Sequence, residues 1–329
     1  MSREDEYQVN AKSDQANERL LGVLSALGAY LLWGILPVYW KQLAEVPAYE
    51  ILAHRVIWSF VFMFAIILVT RSLRQFLAET VQIGRNPRKL TGLIVASLLI
   101  SVNWLIYIWA VNENRVVEAS LGYYINPLVS VLLGIVVLKE KLSLWQTVSF
   151  GLAAVGVIIM TVNFGALPWV SLSLAITFAF YGMCKKILGI SAVTSTTLET
   201  LIVSPVAAGY LLFLAGQGQG AFSFNSQAAT WLLAGAGAVT ATPLLLFASG
   251  ANRLPLSLLG FTQYLSPTIS LALGVLLYHE PFTHIHMIAF SFIWLALAVF
   301  SLAKTRSFVH AEEYLTELRK SHGNKPEKA

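Results

Sequence analysis

The chain has 329 residues, of which 57% are hydrophobic and only 12% charged, with a mean hydropathy of +0.68 and a formal net charge of +5. A soluble domain is charged at roughly a quarter of its positions, so the solvent for most of this chain is lipid. The single cysteine, Cys184, excludes an internal disulfide and a cysteine-held metal cluster, and without a G-x-x-x-x-G-K-[ST] phosphate loop there is no basis for direct ATP-driven transport by this chain alone.

Residues 1–19 are polar and mixed in charge; they do not resemble a cleavable signal and read as a cytoplasmic N-terminal segment. Apolar runs of about 20 residues, the length that crosses a hydrocarbon core, follow near 21–40, 50–70, 90–111, 118–138, 144–162, 167–184, 196–215, 229–250, 256–278 and 284–303. Short connections make neighbouring spans antiparallel. Between the second and third, Leu73, Phe76, Leu77 and Val81 recur at helical spacing beside Arg71, Arg74 and Arg85, which predicts a short helix lying in the cytoplasmic interface. Residues 304–329 form a charged cytoplasmic tail. With the N-terminus inside, 19 of the 22 basic residues fall on the cytoplasmic side, leaving Lys41 and Arg115 outside and Arg55 within a span. Orientation therefore accounts for the basic charge, and a nucleic-acid partner is not called for.

The third to fifth spans recur in the eighth to tenth at an offset of 140 residues, which carries Tyr124 onto Tyr264, Pro127 onto Pro267, Ser130 onto Ser270 and Gly134 onto Gly274. Glu50 matches Glu199 more loosely. Five spans per repeat is an odd number, so the two halves insert upside down relative to each other. The expected fold is an all-α membrane protein of ten transmembrane helices, built as two inverted five-helix repeats over 20–163 and 164–303, with both termini cytoplasmic.

Inverted repeats are the build of many secondary transporters, whose substrate sites lie where interrupted helices meet near the midplane. Pro127 and Pro267 are expected to break the fourth and ninth spans, each removing a backbone donor and disturbing a carbonyl four residues earlier. Beside them, Tyr123, Asn126 and Ser130 fall on one stripe, and so do Gln263, Ser266 and Ser270. These two stripes are the first candidate for substrate binding; Asn103 and Tyr107 on the third span and Trp33 on the first are added as cavity-lining candidates. The competing account is that mid-span prolines kink helices for packing and that Ser and Asn join helices by hydrogen bonds.

The second span carries Glu50, His54 and Arg55, and an ionisable residue in a span costs about 2.5–3.5 kcal/mol to insert. A coupling or gating role for these three, with Glu118 and Glu199, stands beside a static network in which Arg55 pairs with Glu118, Glu113 or Glu50 or reaches outward. His54, with an ordinary pKa of about 6.5, is the candidate for proton coupling. Glu140 and Glu280 read as loop residues next to the helix caps Ser143 and Thr283. His279, Glu280, His284 and His286 have no spacing that fits a structural zinc site, so neither a metal nor another cofactor is expected.

At EILAHRVIWSF (50–60), NWLIYIWAVN (103–112), EASLGYYINPL (118–128), FAFYGMCKK (178–186), LETL (198–201) and LGFTQYLSPT (259–268) the chain resembles the drug/metabolite transporter superfamily of tandem EamA repeats, and within it the RarD permeases. The resemblance implies a permease of the bacterial inner membrane with a central cavity between the repeats, working by alternating access without a cofactor. The name of that family is tied to chloramphenicol sensitivity, and related EamA proteins export amino acids and other metabolites. The partners expected are a small-molecule substrate and membrane lipids. A membrane scaffold is the alternative: Ser149, Ala153 and Gly156 on the fifth span offer it a packing face, which would equally serve a transporter homodimer. An integral-membrane enzyme would need paired acids, a nucleophile with its base, or metal ligands at one depth, and no such set stands out.

Overall fold

The structure, a computed structural model, describes residues 3–43, 45–112, 116–164, 169–222, 227–277, 283–303 and 312, with the side chains of these apart from 3–14, 108, 111, 112, 116–120, 164, 227 and 274. The expected tail lies outside the described residues except for Glu312, as do Glu113, Glu280 and His279 and the side chain of Glu118.

The helices run in the order α1 (Arg3–Lys41), α2 (Ala48–Val69), α3 (Leu73–Arg85), α4 (Pro87–Asn112), α5 (Val116–Val136), α6 (Leu144–Phe164), α7 (Trp169–Leu188), α8 (Ala192–Gly216), α9 (Gln227–Arg253), α10 (Leu256–Gln263), α11 (Leu265–Leu276) and α12 (His284–Leu302). Among the described residues there is no strand. Among the described residues, eight helices are long and apolar enough to cross a membrane: α1 from Gln15, α2, α4, α6, α7, α8, α9 and α12. Their outer faces stay apolar, with Val206 and Leu212 each more than 70% exposed, as suits surfaces that meet lipid chains rather than water. The polar segment expected at 1–19 is drawn into α1, which is helical from Arg3.

The two prolines act differently. Helix α5 is continuous through Pro127, whereas the ninth expected span divides at Tyr264, three residues before Pro267, into α10 and α11. The expected break at Pro127 is thus corrected to an uninterrupted helix. A proline deletes one ladder bond, which the neighbouring turns can carry. At Tyr264 two threonines add to the disturbance, Thr262 bonding back to the Leu259 carbonyl (2.8 Å) and Thr268 to that of Tyr264 (2.7 Å), a competition with backbone bonding that bends helices.

The chain divides into two compact units, one of Met1–Gly134 with Pro168–Glu280, the other of Ile135–Leu167 with Pro281–Ala329. In the second, α6 packs on α12. A Cβ on Gly156 would come within 2.7 Å of the Ala289 carbonyl oxygen, and Ser149 and Ala153 are fully buried. The small-residue face that the sequence offers to a partner is therefore already covered by α12 of the same chain. Ser143 and Thr283 start α6 and α12 as caps, with Gln146 N–H donating to Ser143 Oγ (3.3 Å) and His286 N–H to Thr283 Oγ1 (3.4 Å).

In the first unit, α9 is the hub, packed by α1, α2, α7 and α8. Its Ala-Gly-Ala-Gly-Ala stretch (234–238) lets two neighbours come close. A Cβ on Gly235 would meet Tyr39 Oη at 2.9 Å, and one on Gly237 would lie 2.2 Å from the carbonyl carbon of Trp58. Helix α3 buries Phe76 and Ile83 against Ile67, Leu93, Ile190 and Leu198, while Leu77 and Val81 stay exposed, the arrangement expected of an interfacial helix. Its Glu79 accepts a 2.6 Å hydrogen bond from Ser191, the cap of α8. Partial burial alone would raise the Glu79 pKa, but hydrogen bonds from Ser191, Thr194 and Gln75 and the Lys89 charge outweigh it and hold the carboxyl below its ordinary value.

Candidate functional site

Arg55 lies eight residues into α2 and is 9% exposed. The close approach of α2 to α9 at Gly237 brings it, one turn further along α9, to Thr240, whose hydroxyl accepts from Nε at 3.0 Å. Its guanidinium lies over two indoles, 4.5 Å from the ring centroid of Trp40 at the end of α1 and 4.9 Å from that of Trp104 on α4. Tyr107 and Tyr123 are the phenols within electrostatic reach, and their rings meet edge to face at 5.8 Å. Tyr123 is 38% exposed. Five helices thus converge on one cation in an aromatic surround. Next to it, Val56 and Trp104 also border a cavity of about 10 Å³, the size that holds one water, which reaches Thr196, Glu199 and Thr200 on α8.

Toward one end of the membrane part, the sharp stop of α8 folds residues 219–222 back over α2. Gly218 adopts φ +68° and the Gln219 N–H reaches the Leu214 carbonyl at 3.1 Å, a left-handed helix stop that needs glycine. Ala221 N–H then donates to Glu50 Oε1 (2.6 Å), and Phe222 stacks on His54 with ring centroids 5.0 Å apart. His54 Nε2 is 3.9 Å from Glu50 Oε1, and neither ring nitrogen has a hydrogen-bond partner.

Toward the other end, Glu199 is buried with Lys185 Nζ at 2.7 Å from Oε1 and Tyr181 Oη donating to Oε2 at 3.0 Å. Lys185 also donates to Ser195 (2.9 Å). The sequence places Lys185 among the basic residues that set orientation; instead it is buried as the counter-ion of Glu199.

The polar stripes are committed largely to helix contacts. Asn126 donates to the Ala175 carbonyl (3.1 Å) and accepts from Ser130 (3.3 Å), and Asn103 donates to the Leu174 carbonyl and to Thr177, both at 2.9 Å. Ser270 donates to the Gly34 carbonyl (3.2 Å). Gln263 is buried at the α10 end of the break, and Ser266 is half-buried just after it. Trp33 packs with Tyr30, Phe178 and Phe247 at centroid distances of 5.6–5.7 Å. Of the nominated lining residues, Tyr107 and Tyr123 lie within electrostatic reach of Arg55; the sequence reading missed Trp40, Trp104 and Thr240, which contact it. The signal for Trp104 was its i, i+3 spacing to Tyr107, and for Thr240 the run of small residues just before it. Among the described residues no group of His, Cys, Asp and Glu is arranged to hold a metal ion.

Comparison with known proteins matches residues 20–162 to the EamA-like transporter family. The chain is 47% identical over 293 residues to the uncharacterized transporter YojE of Bacillus subtilis, an alignment covering 89% of this chain and 97% of that one. It is 45% identical to the protein RarD of Salmonella typhi, over 87% of this chain and 96% of that one, and 44% identical to RarD of Escherichia coli, over 87% and 95%. A protein of known crystal structure shares the fold at 18% identity, with a TM-score of 0.67 over 88% of this chain and 99% of its own. The apolar helices, the identity with these proteins across most of the chain and the family match make this a multi-pass membrane protein that belongs to the RarD-type permeases of the EamA superfamily.

Proposed function

We propose that the protein is a secondary transporter of small polar or amphiphilic metabolites in the bacterial inner membrane, with ten spans in two inverted repeats, both termini cytoplasmic, and alternating access around α5 and α10–α11. Its relatives' names support transport. One of them, 29% identical, from Pseudomonas aeruginosa, is named chloramphenicol-sensitive protein RarD, which supports amphiphilic drugs as side substrates. The residues at the two ends divide the work. Glu50 and His54 with 219–222 close the outer end, Lys185 and Glu199 close the inner one, and the Arg55 cluster lies between.

One observation carries alternating access. Tyr124 and Tyr264 are equivalent in the two repeats, yet Tyr124 donates to the Pro267 carbonyl (3.0 Å), while the buried Tyr264 hydroxyl has no partner. A buried hydroxyl left unbonded costs stability. The two positions differ in bonding, which supports a reading in which the halves exchange conformations and Tyr264 gains the reciprocal bond to the Pro127 carbonyl.

The experiment starts from a thermal-stabilisation screen of the purified protein against amino acids, aromatic metabolites and chloramphenicol-type drugs, since a ligand raises apparent stability by mass action. The stabilising compound is then followed into proteoliposomes. Flux above that of empty liposomes is expected, and Tyr264→Phe is expected to melt no lower than the wild type while slowing flux severalfold. A library without a hit, or a hit that is never moved, contradicts transport; unaltered flux in Tyr264→Phe contradicts the exchange.

A further inference from the structure

We propose that Arg55 and the aromatic side chains around it form the binding site for the carboxylate of a monoanionic organic substrate. The inference rests on the transporter reading and names the substrate class of that same site. A guanidinium inside a span is costly to insert and is ordinarily neutralised by a carboxylate. Here the described carboxylates are committed elsewhere: Glu199 pairs with Lys185, and Glu50 accepts from the Ala221 backbone. Among the described residues no carboxylate forms an ion pair with Arg55, and its one side-chain hydrogen bond runs from Nε to Thr240.

That bond and the indoles of Trp40 and Trp104 fix the plane of the group, and they use one of its five N–H donors. Aromatic faces attract the cation without discharging it. What remains is the planar fork of two amino groups, which matches a carboxylate with two parallel hydrogen bonds. Tyr107 and Tyr123, within electrostatic reach of the guanidinium and in ring contact with each other, supply phenols and ring faces near it, and Tyr123 is partly exposed. One buried positive charge sets the selectivity. A monoanion cancels it, a dianion leaves a negative charge in a desolvated site, and a cation is repelled. The aromatic walls favour a carboxylate carried on an apolar or aromatic body.

The test uses the full-length protein purified in detergent, titrated with benzoate, benzamide, benzylamine and phthalate, and read by tryptophan fluorescence and by melting temperature. Saturable binding of benzoate is expected, with benzamide, benzylamine and phthalate at least tenfold weaker, and with the benzoate response lost in Arg55→Gln. Arg55→Lys, which keeps the charge but not the fork, is expected to weaken benzoate about tenfold. Benzamide binding as tightly as benzoate to the wild type overturns the proposal, whether or not the variants fold, and so does a folded Arg55→Gln that retains benzoate affinity. Because Glu118, five residues before Tyr123, is a candidate partner of Arg55 whose side chain lies outside the described residues, Glu118→Gln is included. If benzoate binds tenfold more tightly to that variant than to the wild type, the charge is already neutralised within the protein, and the proposal fails. Binding confined to benzamide or benzylamine overturns the carboxylate site and leaves transport standing; silence toward all four also overturns the site, and transport is then judged by the flux measurement alone.

Discussion

Lys185→Met is expected to destabilise the protein by about 3–5 kcal/mol, the range for removing one partner of a buried ion pair. The Glu199 carboxylate is 4% exposed, and with Lys185 gone its remaining partner is the Tyr181 hydroxyl. The lost bond to Ser195 adds to the deficit. Thermal unfolding followed by tryptophan fluorescence checks this, with an expected fall in melting temperature of roughly 10 °C. The mechanism is separated from simple loss of packing by a second substitution. Glu199→Gln placed on the Lys185→Met background removes the unpaired charge and is expected to restore much of the loss, so that the two changes together cost far less than their sum. If the double variant is as unstable as the sum of the singles, the pair is not energetically coupled. A buried pair is costly to form in the first place and is weak as a stability device. Its retention beside the small cavity bordered by Glu199 accords with the inner closure assigned to it.

The second large effect is expected from the addition of one methyl group. A Cβ at Gly237 would stand 2.2 Å from the carbonyl carbon of Trp58 and 2.3 Å from its oxygen, backbone against backbone, where no rotamer change gives relief. Gly237→Ala must push α2 off α9. That would break the Ser59 Oγ to Gly237 carbonyl bond (3.2 Å) and the Arg55 to Thr240 bond (3.0 Å). A loss of about 3 kcal/mol is expected, at the upper end for overpacking, together with loss of ligand binding. Gly209→Ala is the control. It lies on α8 with open space around the added carbon, and its expected effect is neutral or slightly stabilising because alanine is the better helix former. Equal melting temperatures for the two variants would mean that α2 and α9 are not in such close contact.

Eight of the ten expected spans were legible because hydrophobicity over some 20 residues is a one-dimensional signal, and the caps at Ser143 and Thr283 because capping is local. The division at Tyr264 was foreshadowed by Pro267, but Pro127 carries the same signal and α5 is unbroken. The difference lies in Thr262 and Thr268, whose hydroxyls take carbonyls from the ladder. What could not be read was the partner of each polar side chain. Asn126 and Asn103 look like substrate ligands from sequence, and their amides bond α7 carbonyls, because a desolvated amide seeks a partner whether ligand or helix provides it. Arg55 stood out as a charge in a span, but its neighbours come from α1, α4, α5 and α9, and only the packing of glycines 235 and 237 decides which faces meet. Lys185 looked like a loop charge since orientation rules count lysines without asking where each one points.

Transport through the Arg55 site is tested by the reactivity of single cysteines in membrane-embedded protein toward a water-soluble maleimide, on a Cys184→Ser background. The proposed site needs water at Tyr123, which is 38% exposed, whereas Leu132, on the opposite face of the same helix and 50% exposed, is expected to face lipid. A thiol ionises and reacts only where water reaches it. Tyr123→Cys is therefore expected to label readily and Leu132→Cys to stay unlabelled. If Tyr123→Cys is as unreactive as Leu132→Cys, no water path reaches Arg55, and the transport route assigned to this site is contradicted.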